Sequence, residues 1–107
     1  MKYSIIIVLV LFYSFFTVGQ INNFKEKFDL PNETKETSGL LFFDSKIITH
    51  NDSGDAANLY EIDSLSGDLL RTITINNATH IDWEDITEDE NHIYIADIGN
   101  NNGNRND

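Results

Sequence analysis

The 107-residue sequence contains no cysteine, a single proline, and only seven basic residues against 18 acidic ones. Without cysteine, a disulfide framework, a thiolate metal site and a cysteine nucleophile are all excluded. The formal net charge of −11 at pH 7 opposes binding to nucleic-acid phosphates and to anionic lipid surfaces, because like charges repel. A chain of this length supplies one small domain. We therefore expect an acidic single-domain protein that has no nucleic-acid partner.

The one long apolar run lies at the N-terminus. Lys2 provides a positive start, residues 5–16 are apolar except for Ser14, and the small or neutral residues 17–19 precede a polar run. A short charged region, an apolar region of about 7–15 residues and a small-residue exit are typical of a secretory signal peptide. A membrane anchor needs about 20 apolar residues. We predict a cleaved signal peptide and a secreted or cell-surface protein that does not contact the membrane afterwards. It is not a lipoprotein, because the lipid-bearing cysteine is missing.

The remaining chain shows strand-length apolar runs that are separated by turn residues. Residues 40–43 and 46–49 flank an Asp-Ser turn, and residues 59–62 and 69–75 flank a turn rich in serine, glycine and aspartate. No stretch keeps the i, i+3, i+4, i+7 apolar spacing of a helix without glycine or Asx breaks. The pattern predicts four short antiparallel strands.

An internal repeat follows these strands. A shift of 46 residues places segment 36–40 on segment 82–86 and segment 46–51 on segment 92–97 without a gap. Carboxylate, apolar, turn and Asx positions correspond in the two copies. A four-stranded unit that recurs every 40–50 residues is typical of a β-propeller blade.

The predicted fold is therefore all-β, with one complete four-stranded antiparallel blade and the first hairpin of a second blade. A propeller needs about four blades or more, and repeat units are stable only when stacked on neighbours. We expect the N-terminal piece of a truncated β-propeller that is marginally stable alone; the alternative is a sandwich with two hairpins that are similar by chance. The predicted divisions are a signal peptide at 1–19, a lead-in at 20–35, a first blade at 36–77 and half of a second blade at 78–107.

Five short motifs occur in order along the chain, at residues 35–40, 49–54, 59–63, 82–86 and 94–101. Together they resemble the opening blade of a family of exported bacterial β-propeller proteins, which is similar to NHL-type and phytase-like propellers. The resemblance implies a propeller fold. Through the phytase-like relatives it also implies calcium-dependent phosphoester hydrolysis as one activity.

The densest group of carboxylates lies near the start of the second predicted hairpin. Alternate side chains of a strand share a face, so we expect Asp82, Glu84 and Ile86 to project to one side and Trp83 to the other. Near Asp97, the two carboxylates suit a hard cation such as Ca²⁺, which takes six to eight oxygen ligands, or a metal-bound water. The favoured interpretation is that they cap backbone amides and line a solvated channel. The cofactor that this group suggests is Ca²⁺, with Asp82, Glu84 and Asp97 as its candidate ligands.

Two polar loops are further candidates. Residues 51–55 place side-chain oxygens at alternate positions, but the glycine and glutamate of an EF-hand loop are not at the required places, so a tight strand connection is the favoured interpretation. In residues 97–105, glycine and asparagine tolerate positive φ, and an arginine can hold a carboxylate at two points. Because loops on a rigid scaffold often carry function, we predict Asn101 and Arg105 as ligand-binding residues.

No catalytic residue is predicted. The histidines lack an i, i+4 pair, and the serines lack a Gly-x-Ser-x-Gly elbow. The favoured function is a non-enzymatic exported module that binds an extracellular protein or glycan and holds a structural calcium ion. The alternatives are a calcium-dependent phosphoester hydrolase and a fragment without independent function.

Overall fold

The computed structural model describes residues 25–106. The predicted signal peptide and the first residues of the predicted lead-in lie outside this range. The described residues contain one short 3₁₀ helix, Asn32–Thr34, and six β-strands. Within this range no helix is long and apolar enough to cross a membrane. The strands are β1 (Thr37–Phe43), β2 (Lys46–Asn51), β3 (Asn58–Asp63), β4 (Leu69–Thr74), β5 (Trp83–Glu88) and β6 (Ile93–Asp97).

The strands form two antiparallel sheets. One sheet has the order β1-β2-β3-β4, and the other is the hairpin β5-β6. In the turn between β1 and β2, Asp44 and Ser45 have φ values of 49° and 61°, which fits a two-residue turn with positive φ at both positions. The predicted all-β fold, with a four-stranded antiparallel sheet followed by a hairpin, is confirmed at this level.

The two hairpins β1-β2 and β5-β6 share one pairing register. Leu41 pairs with Ile48 in the first hairpin, and Thr87 pairs with Tyr94 in the second. Each member of the second pair lies 46 residues after its counterpart. The register also shifts near the start of the first strand in both hairpins. The offset found in the sequence therefore matches the backbone pairing.

The irregularity in β5 changes which side chains share a face. The register of β5 shifts between Trp83 and Asp85, and a bulge of this kind inserts an extra residue into one strand. As a result Trp83 and Ile86, which are 2% and 4% exposed, enter the same apolar core. The expectation that Ile86 lies on the side opposite to Trp83 is wrong, because strict alternation holds only in a regular strand.

The apolar core lies between the two sheets. A side chain at position 39 would prevent this packing, because a Cβ at Gly39 would lie 2.7 Å from the backbone nitrogen of Ile86. Burial of apolar surface contributes about 25 cal/mol per Å² and holds the second hairpin against the first sheet. The buried members of the core are Ile48, Ala57 and Leu59 from the first sheet and its loops, and Trp83 and Ile86 from the second.

Candidate carboxylate site and the adjoining polar pocket

Three carboxylates converge where the two sheets meet. One carboxylate oxygen from each of Asp52, Asp82 and Glu84 lies within 4.8 Å of the other two. Asp52 follows β2, Asp82 precedes β5, and Glu84 lies within β5. The backbone N–H of Trp83 donates a hydrogen bond to the carbonyl of Asp52 at 2.8 Å. The first sheet and the second hairpin therefore both contribute to this group.

His80 holds the loop that carries Asp52. The Nε2 atom of His80 lies 2.7 Å from the carbonyl oxygen of Asp52, and its Nδ1 atom lies 3.1 Å from the carbonyl oxygen of Ala56. The imidazole also stacks on Trp83, with 4.4 Å between the ring centroids. The backbone of the Asp52 loop is thus fixed relative to the start of β5, and its carboxylate is positioned with it.

Asp82 is the most enclosed of the three carboxylates. The whole residue is 7% exposed, and its backbone carbonyl accepts a hydrogen bond from the N–H of Gly99 at 3.0 Å. Among the described residues, the Oδ1 atoms of Asp82 and Asp52 are buried and have no hydrogen-bond partner. An unsatisfied buried polar group costs about 1–3 kcal/mol. The site therefore carries oxygens whose burial is not compensated by the polypeptide.

Gly99 forms one wall of the site. A Cβ at this position would lie 2.2 Å from Cγ of Asp82 and 2.5 Å from Oε1 of Glu84. Both distances are shorter than non-bonded contacts allow, so a larger residue would displace the carboxylates. Glycine is required here for space, and the two side chains lie directly over its backbone.

The three like charges affect protonation. A hydrogen bond between the Asp52 and Asp82 carboxyls, which can form only when one of them is protonated, raises the pKa of the Asp52 carboxyl. Burial and the charges of Asp82 and Glu84 raise the pKa of Asp52 further, because each of these factors disfavours a second negative charge. The group therefore favours uptake of a positive charge, either a proton or a cation.

Asp97 lies outside this group of three. Its Oδ1 atom accepts hydrogen bonds from Arg105 Nη1 at 2.7 Å and from the N–H of Asp82 at 3.0 Å. Burial alone would raise the pKa of Asp97, but these hydrogen bonds outweigh it and lower the pKa of this carboxyl. The structure thus brings together Asp82 and Glu84 of the predicted ligand set, with Asp52 in the third place. Metal binding itself stays a prediction.

A polar pocket of about 340 Å³ adjoins the carboxylates. Asn101 and Arg105, the predicted ligand-binding residues, both line it. Arg105 is held by Asp97 and by the carbonyl of Gly99 at 3.2 Å. The Oδ1 atom of Asn100 accepts the backbone N–H groups of residues 104 and 105 at 3.0 and 3.1 Å, which closes the loop on itself. The lining residues are Ser53, Ile81, Asp82, Gly99, Asn100, Asn101, Asn102, Asn104 and Arg105.

Asp52 was not among the site residues predicted from the sequence. In the loop at residues 51–55, Asn51 Nδ2 donates to Asp55 Oδ2 at 2.8 Å, and Asp55 also accepts the hydroxyl of Tyr60. These two side chains thus support the loop, while Asp52 lies near Asp82. The usable signal was the 46-residue offset, because packing of the two equivalent hairpins brings the end of β2 next to the start of β5.

Comparison of the chain with models of known protein families, with curated proteins and with solved structures finds no match. The fold and the candidate site therefore rest on the geometry described above. The resemblance to exported propeller proteins stays a prediction.

Proposed function

We propose that this chain is part of an exported, propeller-type binding module that takes a polar ligand, foremost a glycan, in the pocket at residues 99–105. The observation that carries this proposal is the asparagine-rich lining of that pocket. A side-chain amide offers two donors and one acceptor with two lone pairs, which suits sugar hydroxyls. The volume of about 340 Å³ falls within the usual range of about 300–1,000 Å³ for ligand pockets.

The propeller part of the proposal is supported by unequal exposure of equivalent positions. Ile86 is 4% exposed and packs against the first sheet, whereas Leu40, its counterpart 46 residues earlier, is 55% exposed. Phe42, on the same side of β1 as Leu40 by strand alternation, is 65% exposed. In stacked repeats each unit covers the equivalent face of the next. The exposed face of β1 is therefore suited to contact with another sheet of the same kind.

The binding proposal is tested on an array of neutral and acidic oligosaccharides, followed by calorimetry with the strongest saccharide. We expect Asn101→Ala to weaken binding about 3- to 10-fold, which corresponds to loss of one or two neutral hydrogen bonds. The matched control is Asn76→Ala, because Asn76 is exposed in the β4–β5 connection and outside the pocket. Absence of saccharide binding, or equal weakening by both variants, would contradict the proposal. Binding of an unmodified peptide without binding of any saccharide would instead indicate a protein partner.

The alternative of a calcium-dependent phosphoester hydrolase stays a prediction. Its test is the turnover of p-nitrophenyl phosphate by the full chain with Ca²⁺ and with a chelator. Turnover that requires Ca²⁺ and is lost in both Asp82→Ala and Glu84→Ala would replace the binding-module proposal.

A further inference from the structure

We propose that Asp52, Asp82 and Glu84 bind a Ca²⁺ ion that links the first sheet to the second hairpin. The proposal does not depend on ligand binding in the adjoining pocket. It rests on three observations: the convergence of the carboxylates, the unpaired oxygens among them, and the close approach of Gly99.

The first observation is distance. The three ligand oxygens lie within 4.8 Å of one another. Ca²⁺ binds oxygen at about 2.3–2.6 Å, so two oxygens on opposite sides of one ion are separated by about 5 Å. Mg²⁺ requires about 2.0–2.1 Å and near-octahedral geometry, whereas Ca²⁺ accepts flexible coordination geometry. Because the three carboxylates come from two connections and one strand, flexible coordination, and therefore Ca²⁺, is favoured.

The second observation is the unsatisfied state of buried oxygens. The side chain of Asp82 belongs to a residue that is 7% exposed, and its Oδ1 atom has no hydrogen-bond partner among residues 25–106. The Oδ1 atom of Asp52 is also buried and has no hydrogen-bond partner among these residues. Buried charges are normally paired or coordinate a metal. Because Asp52 and Asp82 both belong to the convergent group, a cation bound there would compensate the burial of their carboxylates.

The third observation is the space left by Gly99. A Cβ there would lie within 2.5 Å of Oε1 of Glu84 and still closer to the Asp82 carboxylate. The absence of this atom allows the two carboxylates to approach each other across the loop backbone. Hydrogen bonds from Asp82 N–H to Asp97 and from Arg105 to Asp97 hold the same loop in place. The approach is thus maintained by contacts that do not use the carboxylates of the ligand set.

The ion would act as a link between successive repeat units. Asp52 belongs to the β2–β3 connection of the first unit, and Asp82 and Glu84 belong to the second. A ligand that binds only the folded state stabilises it in proportion to the logarithm of its free concentration. Calcium would therefore raise the unfolding temperature by fixing the packing of the second hairpin on the first sheet.

The experiment uses the full chain, stripped with a chelator, and the fluorescence of its single tryptophan. Trp83 is 2% exposed and lies between Asp82 and Glu84 in sequence, so its emission reports both local change at the site and unfolding. We expect CaCl₂ to raise the unfolding temperature, to shift Trp83 emission and to give one binding event in calorimetry. We expect MgCl₂ at the same concentration to have a smaller effect.

The variants separate binding from folding. Asp52→Asn and Glu84→Gln keep the shape of the side chain and remove one charge, so we expect them to fold without calcium at least as well as the parent. We expect each to lower calcium affinity by about 10-fold or more, because affinity follows the number of ligand charges. Glu88→Gln makes the same change of charge on an exposed position of β5, and we expect it to bind calcium like the parent.

Three outcomes would overturn the proposal. The first is the absence of a calcium-dependent change in heat or unfolding temperature. The second is an equal loss of affinity in Glu88→Gln and Glu84→Gln, which would indicate a general effect of charge. The third is stabilisation by Mg²⁺ that equals stabilisation by Ca²⁺, which would remove the assignment of calcium.

Discussion

The backbone N–H of Asp82 donates a hydrogen bond to Oδ1 of Asp97 at 3.0 Å. At the equivalent place in the first hairpin, the N–H of Glu36 donates to Oδ1 of Asn51 at 3.2 Å. In both hairpins, the side chain of the last residue of the second strand thus accepts a hydrogen bond from the residue that directly precedes the first strand. The two acceptors differ in charge, and the charged one, Asp97, is bonded by Arg105.

This difference predicts the rank order of two substitutions at position 97. Asp97→Asn retains an Oδ1 acceptor for the N–H of Asp82 and loses the ion pair with Arg105. Asp97→Ala loses both and leaves a part-buried N–H without its partner, so we expect it to cost about 1–3 kcal/mol of unfolding free energy. We expect the cost of Asp97→Asn to be smaller, and urea denaturation measures both. Equal costs would show that the hydrogen bond to the backbone contributes nothing.

Glu61 predicts a pH dependence of stability. Lys46 Nζ lies 2.9 Å from its Oε1 atom and Arg71 Nη2 lies 2.6 Å from its Oε2 atom. Hydrogen bonds from Lys46, and then from Arg71, lower the pKa of Glu61 below its ordinary value of 4.5. Because the folded pKa is the lower one, the contribution to stability is complete above the unfolded value and is lost as pH falls through the folded value.

We therefore expect Glu61→Gln to be less stable than the parent at pH 7, by about 1 kcal/mol because both cationic partners are open to solvent. We expect this difference to shrink as pH falls below 4.5. Urea denaturation at a series of pH values measures it, and Glu88→Gln serves as a control in an exposed position. A difference between Glu61→Gln and the parent that does not change with pH would contradict the assignment.

The sheets were predictable from the sequence because their signals are local. The apolar runs at residues 40–43 and 46–49 and the Asp-Ser turn between them specify a hairpin without reference to the rest of the chain. The 46-residue offset extended this prediction to β5 and β6, because equivalent patterns produce equivalent pairings. Whether these sheets belong to a closed propeller is a question about further sheets, and that part stays a proposal.

The site was only partly predictable because it depends on contacts between distant segments. Asp82 and Glu84 are neighbours in one segment, so their proximity follows from local geometry. Packing of the two sheets brings Asp52 next to them, whereas Asp97 binds Arg105 and lies outside the group. Neither effect has a local sequence signal. The bulge in β5 also has no local sequence signal, because it is defined by the pairing of β5 with β6.

Gly99 predicts a destabilisation caused by crowding. We expect Gly99→Ala to destabilise the chain more than Gly103→Ala does. An alanine at Gly103 meets backbone strain at a φ of +64° but has no atom within 4 Å of its Cβ, whereas at Gly99 the Cβ meets Asp82 Cγ at 2.2 Å. Thermal unfolding with a chelator present measures both. Because Asp82→Ala removes the opposing carboxylate, the double variant should recover part of the loss. Additive losses would show that the two positions do not contact each other.

Leu40 and Ile86 predict different costs of truncation at equivalent positions. They are equivalent by the 46-residue offset, yet Leu40 is 55% exposed and Ile86 is 4% exposed. We expect Ile86→Ala to cost about 2–5 kcal/mol in urea denaturation, since it opens a cavity between the two sheets. We expect Leu40→Ala to change stability by less than about 0.5 kcal/mol, as is usual at exposed positions. Sedimentation velocity should show that Leu40→Ala reduces self-association, because an exposed apolar face drives association. A large loss of stability in Leu40→Ala would mean that this face of β1 is already covered within the chain. The proposal that it contacts another sheet of the same kind would then be wrong.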